Sequence, residues 1–130
     1  MSRPVLYGIT NCDTVKRARA WLDDRGVEHQ FHDFKRHGVP PDHIERWIAH
    51  HGWEALLNRQ GTTWRKLDDA SKAAVTDGAS AREAMMSHAS LIKRPVVEWP
   101  NGEVTIGFTH DSFKRHTKEA WEASANEPSP

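Results

Sequence analysis

The stretch Val5-Leu6-Tyr7-Gly8-Ile9-Thr10-Asn11-Cys12-Asp13-Thr14-Val15-Lys16 constrains this chain more than any other. An apolar run stops at a short turn, the chain's one cysteine follows, and a helix opens. The order strand, turn, thiol, helix puts Cys12 at the end of a strand and at the positive end of a helix dipole. A thiolate is favoured there over a thiol. A lone cysteine is more often a small buried hydrophobe. The polar neighbours Asn11 and Asp13 make this a poor place to bury one. Lys16 lies one turn on along the same helix face and is expected to lower the thiol pKa. Asp13 opposes that effect, although an acid in a first turn also supports the helix.

The elements around this stretch follow from periodicity. Pro4 to Ile9 reads as a buried strand, and Val15, Ala18, Trp21 and Leu22 repeat at helical spacing across Asn11 to Asp24. Arg25-Gly26 stops that helix, and Val27 to Phe34 alternates as a second strand. Strand, helix and strand in so short a span predict a βαβ unit with a parallel pair. Lys35 to Pro41 reads as a basic loop. A helix from Asp42 to Gly52 carries Ile44, Trp47 and Ile48, and Trp53 to Leu57 is a helical turn. Asn58 to Lys66, around Gly61-Thr62-Thr63, reads as a loop. Two short helices are expected at Asp68 to Val75 and Ser80 to His88, the second with Ser80 and Glu83 as a capping box. Pro95 opens a strand that runs to Trp99, Asn101-Gly102 predicts a two-residue hairpin, and Val104 to Phe108 returns. Thr109 caps a last helix with Phe113 and Trp121.

The sum is βαβ, a helical insertion, then ββα. That is an α/β fold with a mixed four-stranded sheet and flanking helices, the thioredoxin-like architecture. One domain is expected over residues 1–122, with the helical insertion at about 41–90 and a flexible tail at 123–130.

Charge narrows the function. Eighteen basic residues balance 18 acidic ones, so bulk charge gives no reason to expect a nucleic-acid or membrane partner. No apolar run approaches the roughly 18 residues of a membrane span, and the chain opens without a basic-then-apolar leader. A single cysteine without such a leader fits the reducing cytoplasm and excludes an intramolecular disulfide. Nothing calls for more than a monomer. His43 and His50-His51 match no metal-ligand spacing, so no metal site is expected.

A second cysteine three residues after Cys12 is missing, because Val15 stands there. A mixed disulfide formed at Cys12 must therefore be resolved by an outside thiol, and glutathione is the expected co-substrate, with no bound cofactor. Arg94, directly before Pro95, suits bidentate binding of a carboxylate or oxyanion. Arg59 is a weaker anion-binding candidate, and Trp64 with Arg65 reads as a stacked pair.

Cys12, followed some eighty residues later by Arg94-Pro95, resembles the arsenate reductase (ArsC)/Spx family of thioredoxin-like proteins. The likeness spans roughly Val5 to Lys118 and is nearest to the YffB-type branch. Its motifs are Tyr7-Gly8-Ile9 before Cys12-Asp13-Thr14-Val15-Lys16, Gly61-Thr62-Thr63-Trp64-Arg65-Lys66-Leu67, Ile92-Lys93-Arg94-Pro95-Val96, and Gly107-Phe108. The resemblance implies a cysteine nucleophile at Cys12, a cis proline at Pro95, and an active-site loop with Asn11, Asp13 and Thr14. It implies oxyanion-holding arginines at Arg94 and near Arg59, with adducts resolved by glutathione and glutaredoxin. The family's third arginine has no counterpart, since Ile106, Gly107 and Phe108 occupy its region. The expected activity is a glutathione-dependent thiol reductase, ahead of a true arsenate reductase. A different implication comes from Spx relatives, which regulate transcription by binding RNA polymerase through a chain with a two-cysteine switch.

Overall fold

The computed structural model describes residues 3–125. In chain order its elements are β1 (Val5–Gly8), α1 (Asp13–Asp24), β2 (Gln30–Asp33), α2 (Phe34–His37), α3 (Pro41–His51), α4 (Trp53–Leu56), α5 (Thr62–Lys66), α6 (Asp69–Ala73), α7 (Gly78–Ser87), β3 (Val96–Glu98), β4 (Val104–Ile106) and α8 (His110–Ala125). They form two compact units. One combines the segments up to His32 and from Arg94 onward, and the other is Asp33–Lys93. The expected insertion at about 41–90 falls inside the second. Helix α8 continues to Ala125, past the expected start of a tail at 123. Residues 126–130 of that tail, and the side chain of Trp121, lie outside the described residues.

The first unit is organised by a mixed four-stranded sheet in the order β2-β1-β3-β4. Strand β3 runs antiparallel to β1, with Val5 opposite Glu98, Leu6 opposite Val97 and Tyr7 opposite Val96. It also runs antiparallel to β4, where Val96 faces Ile106 and Glu98 faces Val104. Because side chains alternate along a strand, Leu6 and Val97 share one face. That face meets Ala18, Trp21 and Leu22 of α1, Phe113 of α8, and Trp99 in one buried cluster. Phe113 is its centre: Trp21, Trp99 and Phe108 each meet it edge-on, with ring centroids 5.7, 5.1 and 4.8 Å away. The two indoles keep polar partners. Trp21 Nε1 donates to His110 Nδ1 at 2.7 Å, and Trp99 Nε1 donates to Thr105 Oγ1 at 2.9 Å.

Helix α1 ends as its sequence anticipates. The Gly26 amide bonds Asp23 and the Val27 amide bonds Leu22, the two bonds of a Schellman motif, with Gly26 at φ 68°. The hairpin departs from expectation. The Gly102 amide bonds the Trp99 carbonyl at 2.9 Å, and the Trp99 amide bonds Glu103 at 2.8 Å, which leaves three residues in the loop. Gly102 alone of these is at positive φ, 91°. Pro100 is preset for the first central position of a type I turn, so Asn101 follows it at negative φ and Gly102 takes the left-handed place.

The second unit holds only short helices. Asp33 caps α2 by accepting the Lys35 amide at 3.0 Å, so a helix opens inside the expected basic loop. Thr62–Lys66 is likewise a helix where a loop was expected, with Gly61 as its N-cap. Helix α7 starts earlier than predicted, because the cap is Asp77 rather than Ser80. The Asp77 carboxylate accepts the Ser80 amide, and the Asp77 amide in return donates to the Ser80 hydroxyl oxygen. Glu83 takes no part in that box. Ile44, Trp47, Leu56, Leu57, Met85, Leu91 and Ile92 are buried in this unit. Phe34 packs on Trp47 at 6.2 Å, and a single bridge pairs Leu57 with Ile92.

Candidate functional site

Antiparallel register assembles the site. Since Tyr7 faces Val96, moving forward from β1 and backward from β3 leads to the same end of the sheet. Cys12 follows the first strand there and Arg94-Pro95 precedes the other. The Arg94–Pro95 peptide bond is cis, and the Pro95 carbonyl accepts the Gly107 amide at 2.8 Å. This ties the turn before β3 to the chain leaving β4.

Cys12 is the N-cap of α1, in extended backbone (φ −141°, ψ 119°), and its carbonyl accepts the Lys16 amide at 3.0 Å. From that position a side chain meets the amides of the second and third helical residues, Thr14 and Val15. The thiol forms no capping hydrogen bond in this geometry, so these amides favour its anion as oriented dipoles at the helix start. The thiol is free and half-buried. Partial burial pushes its pKa up, but the Val15 amide, the Arg94 guanidinium (as hydrogen-bond donor and as charge) and the Thr14 amide together pull it below the ordinary value. All three groups favour the anion, so Cys12 is disposed to act as a nucleophile and to receive a disulfide or an oxyanion.

The other expected residues divide. Asn11 and Asp13 flank the thiol and are exposed. Thr14 contributes its amide. Lys16 is exposed, and its main-chain amide bonds the Cys12 carbonyl. Arg59 belongs to the second unit, where its guanidinium faces the rings of Trp53 and Trp64 at 5.4 and 5.9 Å. Arg59, rather than the expected Arg65, is therefore the cation on Trp64. In the region of the missing third arginine, Gly107 supports Pro95 and Phe108 packs on Phe113, so both serve the scaffold.

Sequence reasoning missed the part played by the Val15 amide. The signal was present, since a helix starting after Cys12 makes Val15 its third residue. A helix starting at Asn11, as the sequence predicts, makes Val15 its fifth residue instead. Among the described residues no group of three or more His, Cys, Asp or Glu is arranged to hold a metal. No helix among them is long and apolar enough to cross a membrane.

Known proteins are similar to this chain in sequence and fold. A solved structure of a YffB protein superposes with a TM-score of 0.82 at 50% identity, covering 87% of this chain and 97% of that one. An arsenate reductase (ArsC) related protein from Brucella melitensis gives 0.69 at 42% identity, covering 90% and 96%. The global transcriptional regulator Spx of Streptococcus mutans is 24% identical over 112 residues, 84% of this chain and 79% of its own. The ArsC family model matches residues 7–116, a span that contains Cys12, Arg94-Pro95 and all of the sheet except Val5 and Leu6. With its thioredoxin-like fold and this match, the chain belongs to the ArsC family.

Proposed function

We propose that this protein is an ArsC-type thiol reductase in which Cys12 is the single nucleophile and glutathione the co-substrate. The observation that carries the reading is the Cys12 sulfur at a helix N-cap, with two amides and the Arg94 guanidinium favouring its anion. In the first step the Cys12 thiolate attacks the glutathione sulfur of a mixed disulfide between glutathione and a substrate thiol. A Cys12–glutathione disulfide forms, and the substrate leaves as a thiolate that takes a proton from solvent. In the second step the thiolate of a second glutathione attacks the glutathione sulfur of that adduct. Glutathione disulfide leaves and the Cys12 thiolate returns. The substrate disulfide is reduced and two glutathione moieties end as their disulfide, so the electrons balance without a second protein cysteine. Arg94 holds a carboxylate of the tripeptide and stabilises the thiolate that departs. Arsenate is the less favoured substrate, because Ile106, Gly107 and Phe108 stand where the family's third arginine would be.

The test combines the ultraviolet absorbance of the thiolate, titrated with and without glutathione, with intact-mass detection of the adduct. The expected result is a thiol that ionises below about 8.5 and gains one glutathione when mixed with glutathione disulfide. A thiol titrating near that ordinary value and forming no adduct would sink the reading. The similarity to Spx supports a second one, a regulatory protein that binds RNA polymerase without a two-cysteine switch. Retention of the polymerase α subunit by the immobilised protein, with no turnover of glutathione mixed disulfides, would favour it.

A further inference from the structure

Gly8 closes β1 four residues before the thiol, and its missing side chain leaves a specific space. A Cβ there would lie 2.8 Å from Val15 Cγ2, 3.6 Å from Val15 Cγ1 and 3.8 Å from Phe31 Cε1. Real carbon atoms do not approach to the first of these distances, so something must move. Val15 cannot yield at small cost. It is 1% exposed, and a β-branched side chain in a helix has one strongly preferred rotamer. Phe31 lies at ordinary van der Waals distance, so the clash is with Val15 alone. The conflict would be relieved at the first turn of α1, the turn that carries the Val15 and Thr14 amides.

We infer that Gly8 is a positioning residue for Cys12: because it has no Cβ, Val15 seats against the end of β1 and its amide is held toward the sulfur. The contact made at Gly8 is with the Val15 side chain, not its amide. It acts through Val15. The charged groups on the elements that carry the site are Asp13 and Lys16 on α1 and Arg94 before β3, and a change at Gly8 removes none of these charges. This inference rests on the reading of Cys12 as a stabilised thiolate and adds what sets its geometry.

The experiment compares wild type, Gly8→Ala and the double variant Gly8→Ala/Val15→Ala by thiolate absorbance and by the pH profile of iodoacetamide reaction. Gly8→Ala is expected to move the titration upward and to slow alkylation at neutral pH about threefold to tenfold, the scale of one weakened hydrogen bond to the anion. The double variant removes the two methyl groups in conflict but keeps the amide, so its titration returns toward wild type. A purely structural role for Gly8 would lower stability without this paired shift and rescue. An unmoved titration in folded Gly8→Ala, or no rescue in the double variant, overturns the inference. Should Gly8→Ala not fold, recovery of both fold and titration in the double variant supports it, and failure to recover them overturns it. A wild-type thiol titrating at the ordinary value would instead defeat the reading of Cys12 itself.

Discussion

Tyr7 and Glu98, 91 positions apart, share a hydrogen bond of 2.7 Å, and every observed pairing of β1 with β3 joins residues about as distant. Asp33–Lys93 is ordered by other means. Its helices are short and their ends are set by neighbours: Asp33 on Lys35, Asp68 on Ser71, Asp77 on Ser80. Long-range pairing is entropically demanding, but it fixes two remote loops at one end of a sheet. That is where Cys12 and Arg94 meet. Local capping orders a segment with little loop closure and brings together only what is already adjacent in sequence. The proposed chemistry accordingly lies in the unit with the distant contacts, and Val15, Arg94 and Thr14, which pull the Cys12 thiol pKa down, belong to that unit.

The separation can be broken by a large change in the second unit. Trp47 is fully buried there, and Trp47→Ala should destabilise the protein by about 3–5 kcal/mol in urea titrations. The folded variant should still show the wild-type thiolate titration. A shifted titration would show that the second unit also tunes the sulfur.

Arg94 tests the opposite side. Arg94→Ala removes a charged donor, so alkylation of Cys12 at neutral pH should fall about tenfold or more, while Arg94→Lys should retain part of the rate. Equal rates in wild type and Arg94→Ala would assign the lowered pKa to the helix amides alone.

The pH dependence of stability follows from the same shift. The folded-state pKa of Cys12 lies below that of the unfolded chain, so its anion stabilises the fold fully above the unfolded value of about 8.5. That contribution is lost as pH falls through the folded value. The urea midpoint of wild type relative to Cys12→Ser should therefore rise across that window and flatten above it. A difference that does not change with pH would contradict the direction of the shift.

The smallest effect belongs to the caps. Hydrogen bonds from Ser80 hold the Asp77 carboxyl below the usual range. Asp77→Ala should speed amide exchange in the first turn of α7 and leave Cys12 alkylation unchanged. Exchange that is not faster would show that α7 is held by packing rather than by its cap.

Much of the first unit was legible because its signals are local or periodic. The apolar run to Gly8, the spacing of Val15, Ala18, Trp21 and Leu22, and the Gly26 stop mark β1 and α1 before any contact is known. Helices α2 and α5 were not legible. Four or five residues are too few to show a 3.6-residue period, and α5 carries no capping side chain. In the hairpin, Asn101-Gly102 signals a two-residue loop, but the fixed φ of Pro100 decides that Gly102 takes the left-handed place.

Alone, the sequence determined that a thiol stands between a strand and a helix, that no second cysteine can resolve it, and that Arg94 precedes a proline at a strand start. Each of these is a matter of residue identity and neighbouring position. Only the tertiary structure decided which cation reaches the sulfur and which glycine makes room for the helix that holds it. Lys16 is close in sequence, but its position on the helix leaves it in solvent. Arg94 is remote in sequence, and the antiparallel register of Tyr7 with Val96 brings it to the same end of the sheet. Distance in space, not distance along the chain, sets an electrostatic effect, and a sheet is the device that separates the two.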